Sequence, residues 1–97
     1  MLGSRVDLHT HEFSATFVDG QRERAVCAQG NPLKVTGAGD AWNAGDIIAQ
    51  GIGLTHKQRL VFANATASAY VAKPSLEPCS LSEILDQLRE VEKLNNL

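Results

Sequence analysis

The sequence predicts an α/β chain, a β-hairpin followed by three helices, and three observations carry that prediction. Apolar and polar residues alternate through much of the first third, the period of two that belongs to a strand. The pair Asp19-Gly20 then interrupts the alternation, and it suits the two positive-φ positions of a type I′ turn. Beyond Gly37 the spacing becomes helical, with two capping-box signals, Thr55 with Gln58 and Ser80 with Glu83.

Taken in order, Val6 and Leu8 alternate with Asp7 and His9, and Phe13, Ala15 and Phe17 alternate with Ser14 and Thr16. The return strand is expected over Glu23 to Ala28, with Ala25 and Cys27 on one face, until Gly30-Asn31-Pro32 ends it. Residues 1–30 therefore read as two strands, and residues 37–97 as helical. The first helix is expected from Gly39 to Gly51, closed by Gly51 and Gly53. The second runs from its Thr55 cap to about Val71, where Lys73-Pro74 stops it. Its stretch Phe62 to Ala69 is small on nearly every side, so neighbouring backbones can come close, and it is expected inside, against the first helix. The third starts at Ser80 and gathers Leu81, Ile84, Leu85, Leu88 and Val91 into one stripe, as an outer amphipathic helix does. The chain reads as a single segment, 1–97. A hairpin has little stability alone, so two strands and three helices read as the end of something larger.

Composition narrows the function. The 97 residues allow one domain of modest core, with 43% hydrophobic and 21% charged residues, ordinary for a soluble globular chain. A formal net charge of −2 gives no general attraction for nucleic acid or for an anionic membrane. No apolar run is long enough to span a bilayer, and Met1 to Asp7 lacks the apolar core of a signal peptide. Cys27 and Cys79 lie far apart without CxxC spacing, so two unpaired thiols in a reducing cytoplasm are expected.

The chemistry concentrates in Lys34 to Asp46, KVTGAGDAWNAGD. The first amides of a helix lack internal acceptors and sit at its positive end. Gly37, Ala38 and Gly39 carry no bulky side chain there, which lets an anion such as phosphate approach the backbone. Asp40 falls in the first turn, where a carboxylate serves as cap or as general base beside the bound phosphate. Close packing and simple capping account for the same residues. Asp40, Asn43, Asp46 and Gln50 share an arc of about 120° at 100° per residue. A solvated face explains Asp46 and Gln50 at least as well as a site does.

Thr36-Gly37-Ala38-Gly39-Asp40-Ala41-Trp42-Asn43-Ala44-Gly45 resembles the C-terminal signature of the ribokinase-like (phosphofructokinase-B) carbohydrate kinases. Phe62-Ala63-Asn64-Ala65 and the small residues after it resemble that family's next helix, and Pro74-Ser75 with the last amphipathic helix falls where the family ends. The resemblance covers about Gly30 to Leu97 well and the hairpin loosely. It implies the C-terminal portion of a ribokinase-like fold, and an ATP-dependent phosphotransferase acting on the hydroxyl of a sugar or similar alcohol, with Mg²⁺ assisting. In its terms Asp40 is the catalytic base, and Gly37, Ala38 and Gly39 form the anion hole. Thr36, Asn43 and Asn64 are nucleotide-binding positions by the same resemblance. Lys34-Val35 stands where many members carry Asp-Thr, and Asp46 where the signature has an apolar residue. The family's substrate pocket belongs to a part this sequence does not contain, so a second reading stands beside the first: an idle nucleotide- or anion-binding module, completed by self-association into a homo-oligomer.

Other constellations are weaker. His9 and His11, two apart on a strand, share a face as a metal pair would, but no third ligand is evident, and half-exposed strand histidines are the plainer reading. Neither serine nor cysteine chemistry has the surrounding pattern it needs. Trp42 suits core or interface better than stacking on a base.

Overall fold

In the computed structural model, residues 5–10, 13–26, 38–72 and 79–97 are described. They form β1 (Arg5–His9), β2 (Phe13–Val18), β3 (Gln21–Val26), α1 (Ala38–Gly51), α2 (His56–Ala72) and α3 (Leu81–Leu94). The strands make an antiparallel sheet in the order β1-β2-β3.

The hairpin forms as its turn residues dictate. Asp19 and Gly20 take φ of 49° and 78°, and Val18 faces Gln21 across the turn. The stretch before it was expected as one strand and is two, so the sheet has three strands instead of two. Thr10 reverses the chain: its N–H donates to the Phe13 carbonyl at 2.8 Å and its hydroxyl accepts from the Phe13 N–H at 3.1 Å. Positions 10–12 hold no glycine, proline, asparagine or aspartate, so the period of two reads straight through the turn. Cys27, the Gly30-Asn31-Pro32 break and Lys73-Pro74 lie outside the described residues.

The helices keep their expected bounds to within a residue or so. α1 closes on Gly53, at φ +79°, where Gly53 N–H donates to Gln50 C=O and Leu54 N–H to Ala49 C=O. Both capping boxes are present, Thr55 with Gln58 and Ser80 with Glu83, each exchanging backbone and side-chain bonds.

α2 lies across β2 and β3 and packs between α1 and α3. Its Leu60, Val61, Ala63, Ala65 and Ala69 are buried with Trp42, Ala25, Ile84 and Val91. The expected close approach of α1 and α2 occurs at Gly45. A Cβ there would stand 2.5 Å from the Thr66 hydroxyl oxygen and 3.2 Å from Ala63 Cα. On α3 only part of the apolar stripe is covered: Ile84 and Val91 are buried, while Leu81 and Leu85 are exposed. The sheet turns its small residues Ser14, Thr16 and Ala25 inward, and leaves Val6, Leu8 and Phe17 exposed on its other face.

Arg59 of α2 ties the two layers together. It is 1% exposed, and its guanidinium meets Asp46 of α1 at 2.5 Å and both oxygens of Asp7 of β1 at 3.3 and 3.4 Å. Arg5 closes the group, 3.2 Å from Asp7 and 3.7 Å from Asp46, and Gln50 donates to Asp46 at 2.8 Å. Asp46 is therefore buried, and the solvated-face reading does not hold for it. Thirteen residues separate Asp46 from its arginine, a distance at which no helical spacing announces the pair. Without Asp46, Arg59 and Arg5 share the single carboxylate of Asp7, and the loss approaches the roughly 3–5 kcal/mol of a broken buried pair. Asp46→Ala is expected to lower the urea midpoint accordingly, and Asp46→Leu with Arg59→Met to restore most of it.

Candidate functional site

The first turn of α1 places Ala38 and Gly39 half-buried and Asp40 exposed. Thr36 and Gly37 lie outside the described residues. The amides opening α1 have no acceptor within the helix, and the macrodipole adds positive potential there. Beside them Asp40 carries no hydrogen bond or ion pair among the described residues. Its carboxylate is thus available to a proton donor. Asn43, one turn on, is also exposed and shares that side of the helix.

Behind this turn stands a wall with no local signature in the sequence. The His9 imidazole, at the end of β1, stacks on the Trp42 indole with ring centroids 4.7 Å apart and planes 19° from parallel. Its Cε1 lies 3.3 Å from where a Gly39 Cβ would be. Gly39 therefore has two uses: it bares its amide and it gives room to the ring. His9 joins this wall. His11, the other histidine of the metal-pair reading, lies outside the described residues, among which no cluster of three or more His, Cys, Asp or Glu could hold a metal ion.

Trp42 is core, as the plainer reading had it. It is 3% exposed and its Nε1–H donates to Asn64 Oδ1 at 2.9 Å. The Asn64 amide donates in turn to the carbonyls of Ala25 and Val26 at 3.2 and 3.4 Å. Asn64 is fully buried, with donor and acceptor both engaged inside the fold. It links α1 to β3 through α2. Of the expected site residues described, α1 brings Ala38, Gly39, Asp40 and Asn43 together, and Asn64 stands behind them.

The fold has a counterpart. The crystal structure of an E. coli protein provisionally assigned as ribokinase II, in its apo form, superposes with a TM-score of 0.77 at 19% sequence identity. The match covers 89% of this chain and 29% of the neighbour, so this chain spans under a third of that protein's length. No protein-family profile matches the sequence, and no curated protein matches it significantly. The likeness is one of fold: a mixed α/β unit of three antiparallel strands and three helices that matches part of a ribokinase-like fold.

Asn64→Leu is expected to orphan the Trp42 N–H, costing about 1–3 kcal/mol, while the Val26 carbonyl keeps its bond from Asn95. Urea denaturation measures the loss. The emission of the single tryptophan should shift in the folded variant, because its hydrogen-bond partner is gone.

Proposed function

We propose that this chain is the phosphoryl-transfer corner of an ATP-dependent carbohydrate kinase, moving the γ-phosphoryl group to an alcohol hydroxyl. The observation that carries it is the pairing, in one helical turn, of side-chain-poor amides at Ala38 and Gly39 with the exposed, unengaged carboxylate of Asp40. The fold likeness to a ribokinase-like protein supports the same reading.

Asp40 takes the proton of the acceptor hydroxyl as that oxygen bonds to the γ-phosphorus and the bond to ADP breaks. The phosphoryl oxygens gather charge in this step, and fixed amide dipoles at the helix start meet it without reorganising. Gly37 and Thr36, which precede them in sequence, take the phosphate- and nucleotide-binding roles that the resemblance gives them. Asn43 reaches the nucleotide phosphates from the next turn. Mg²⁺ would ride on those phosphates and neutralise their charge, since magnesium typically keeps waters and few protein ligands.

That the chain spans under a third of its structural neighbour favours a second reading, a module that binds nucleotide without turnover. Calorimetric titration of the 97-residue chain with ATP and ADP, together with a turnover assay against mixed sugars, separates the two. Turnover supports the kinase reading, binding alone supports the module, and the absence of both removes each as a property of this chain. Where turnover is found, Asp40→Asn is expected to lower it about 10²–10⁴-fold while ATP still binds, as the loss of a general base does. Near-normal turnover in that variant would remove Asp40 from the chemistry.

A further inference from the structure

Between the hairpin and the start of α2 lies a cleft of about 360 Å³. It stands apart from Asp40. His9, at one end of the sheet, touches the start of α1, whereas the cleft is at the other end, beside the Asp19-Gly20 turn. Along α1 alone, Asp40 and Gly51 are separated by roughly 16 Å at the helical rise. The strand register fixes one wall of the cleft. Thr16 pairs with Glu23 and Val18 with Gln21, so these four share the sheet face turned to the helices, and Asp19 closes it at the turn.

The other wall is the first turn of α2. Thr55 accepts from the Gln58 N–H through its hydroxyl and from the Arg59 N–H through its carbonyl. The N–H groups of His56 and Lys57 have no acceptor among the described residues, and they stand at the positive end of the helix. His56 Nδ1 lies 3.3 Å from an Arg59 nitrogen, which can only donate, so Nε2 carries the ring proton. Lys57 donates to the Arg24 carbonyl and meets no carboxylate among the described residues. Beyond it, Asn95 accepts from the Val26 N–H at 2.8 Å and donates to the Val26 carbonyl at 3.0 Å. The floor of the cleft marks it as more than a helix start. Thr16 is 1% exposed, and its hydroxyl has no partner among the described residues. A buried hydroxyl without a partner is costly and rare in a native fold. Glu23 and Asp19, exposed above it, carry no hydrogen bond or ion pair among those residues either.

We propose that this cleft binds a small α-amino acid. An ammonium group has three N–H donors, and the sheet wall offers it three unengaged acceptors: Glu23, Asp19 and the Thr16 hydroxyl. The carboxylate takes the two open amides of His56 and Lys57, with the Lys57 charge beside it. Charge excludes simpler ligands. An anion alone meets Glu23 and Asp19, and a cation alone meets Lys57 and the positive helix end. A molecule carrying both signs matches both walls. Val18, half-buried at the side, suits a short apolar side chain such as that of alanine. The site goes beyond the kinase reading and does not rest on it.

The test titrates the 97-residue chain with L-alanine at neutral pH and follows the backbone amides by NMR. The His56 and Lys57 signals are expected to shift saturably, with a Kd of about 1 mM or below. Acetate, ethylammonium and glycerol, each lacking at least one of the charges, are expected to bind about tenfold or more weakly. Glu23→Gln, at an exposed position, is expected to weaken alanine binding about tenfold and acetate binding not at all. Thr16→Val is expected to weaken alanine binding as well, while the free protein stays as stable in urea or gains, because an unpartnered hydroxyl gives the fold nothing. The proposal is overturned by any of three results: no saturable shift with alanine, equal affinity for acetate or glycerol, or unchanged alanine binding in Glu23→Gln. A clear loss of stability in Thr16→Val overturns it too, since the hydroxyl is then satisfied within the chain.

Discussion

The fold turns on one buried guanidinium. Arg59 sits between β1, α1 and α2, three elements that otherwise meet through few large apolar side chains. Its charge is affordable only because Asp46 and Asp7 reach it from two different elements, with Arg5 balancing the second negative charge. An apolar contact tolerates sliding, whereas a fork of donors to two carboxylates does not. The group therefore fixes α1 relative to β1, and the start of α1 is where the side-chain-poor amides and Asp40 stand.

A second polar relay does the same from the other side. Trp42, Asn64 and the carbonyls at the end of β3 form a buried chain from α1 through α2 to β3. With His9 stacked on Trp42, the first turn of α1 is held from behind, while Asp40 and Asn43 on its outer side are exposed. Rigid support behind and access in front is what charge stabilisation by fixed dipoles requires.

Much of this was legible in the sequence where the cause is local. The Asp19-Gly20 turn, both capping boxes, the glycine ending α1 and the small-residue helix α2 each depend on residues within a turn or two of one another. The Thr10 reversal was not legible, because a threonine turn leaves no mark in composition and the alternation continues across it. Asp46 looked like a surface residue because its partner comes from another helix. Asn64 was placed at a nucleotide by resemblance, while its amide is engaged within the core, a matter only of packing. The place of His9 against Gly39 also depends on how β1 and α1 meet.

Asn95 has a consequence for how such a chain behaves in company. Its carboxamide offers β3 one donor and one acceptor, as a neighbouring peptide group would, and so occupies the end of the sheet. Fibrils built by edge-to-edge pairing need every unit to offer two open sides. Asn95 thus takes the Val26 end of β3 out of such pairing, a peptide mimic that the chain supplies to its own sheet.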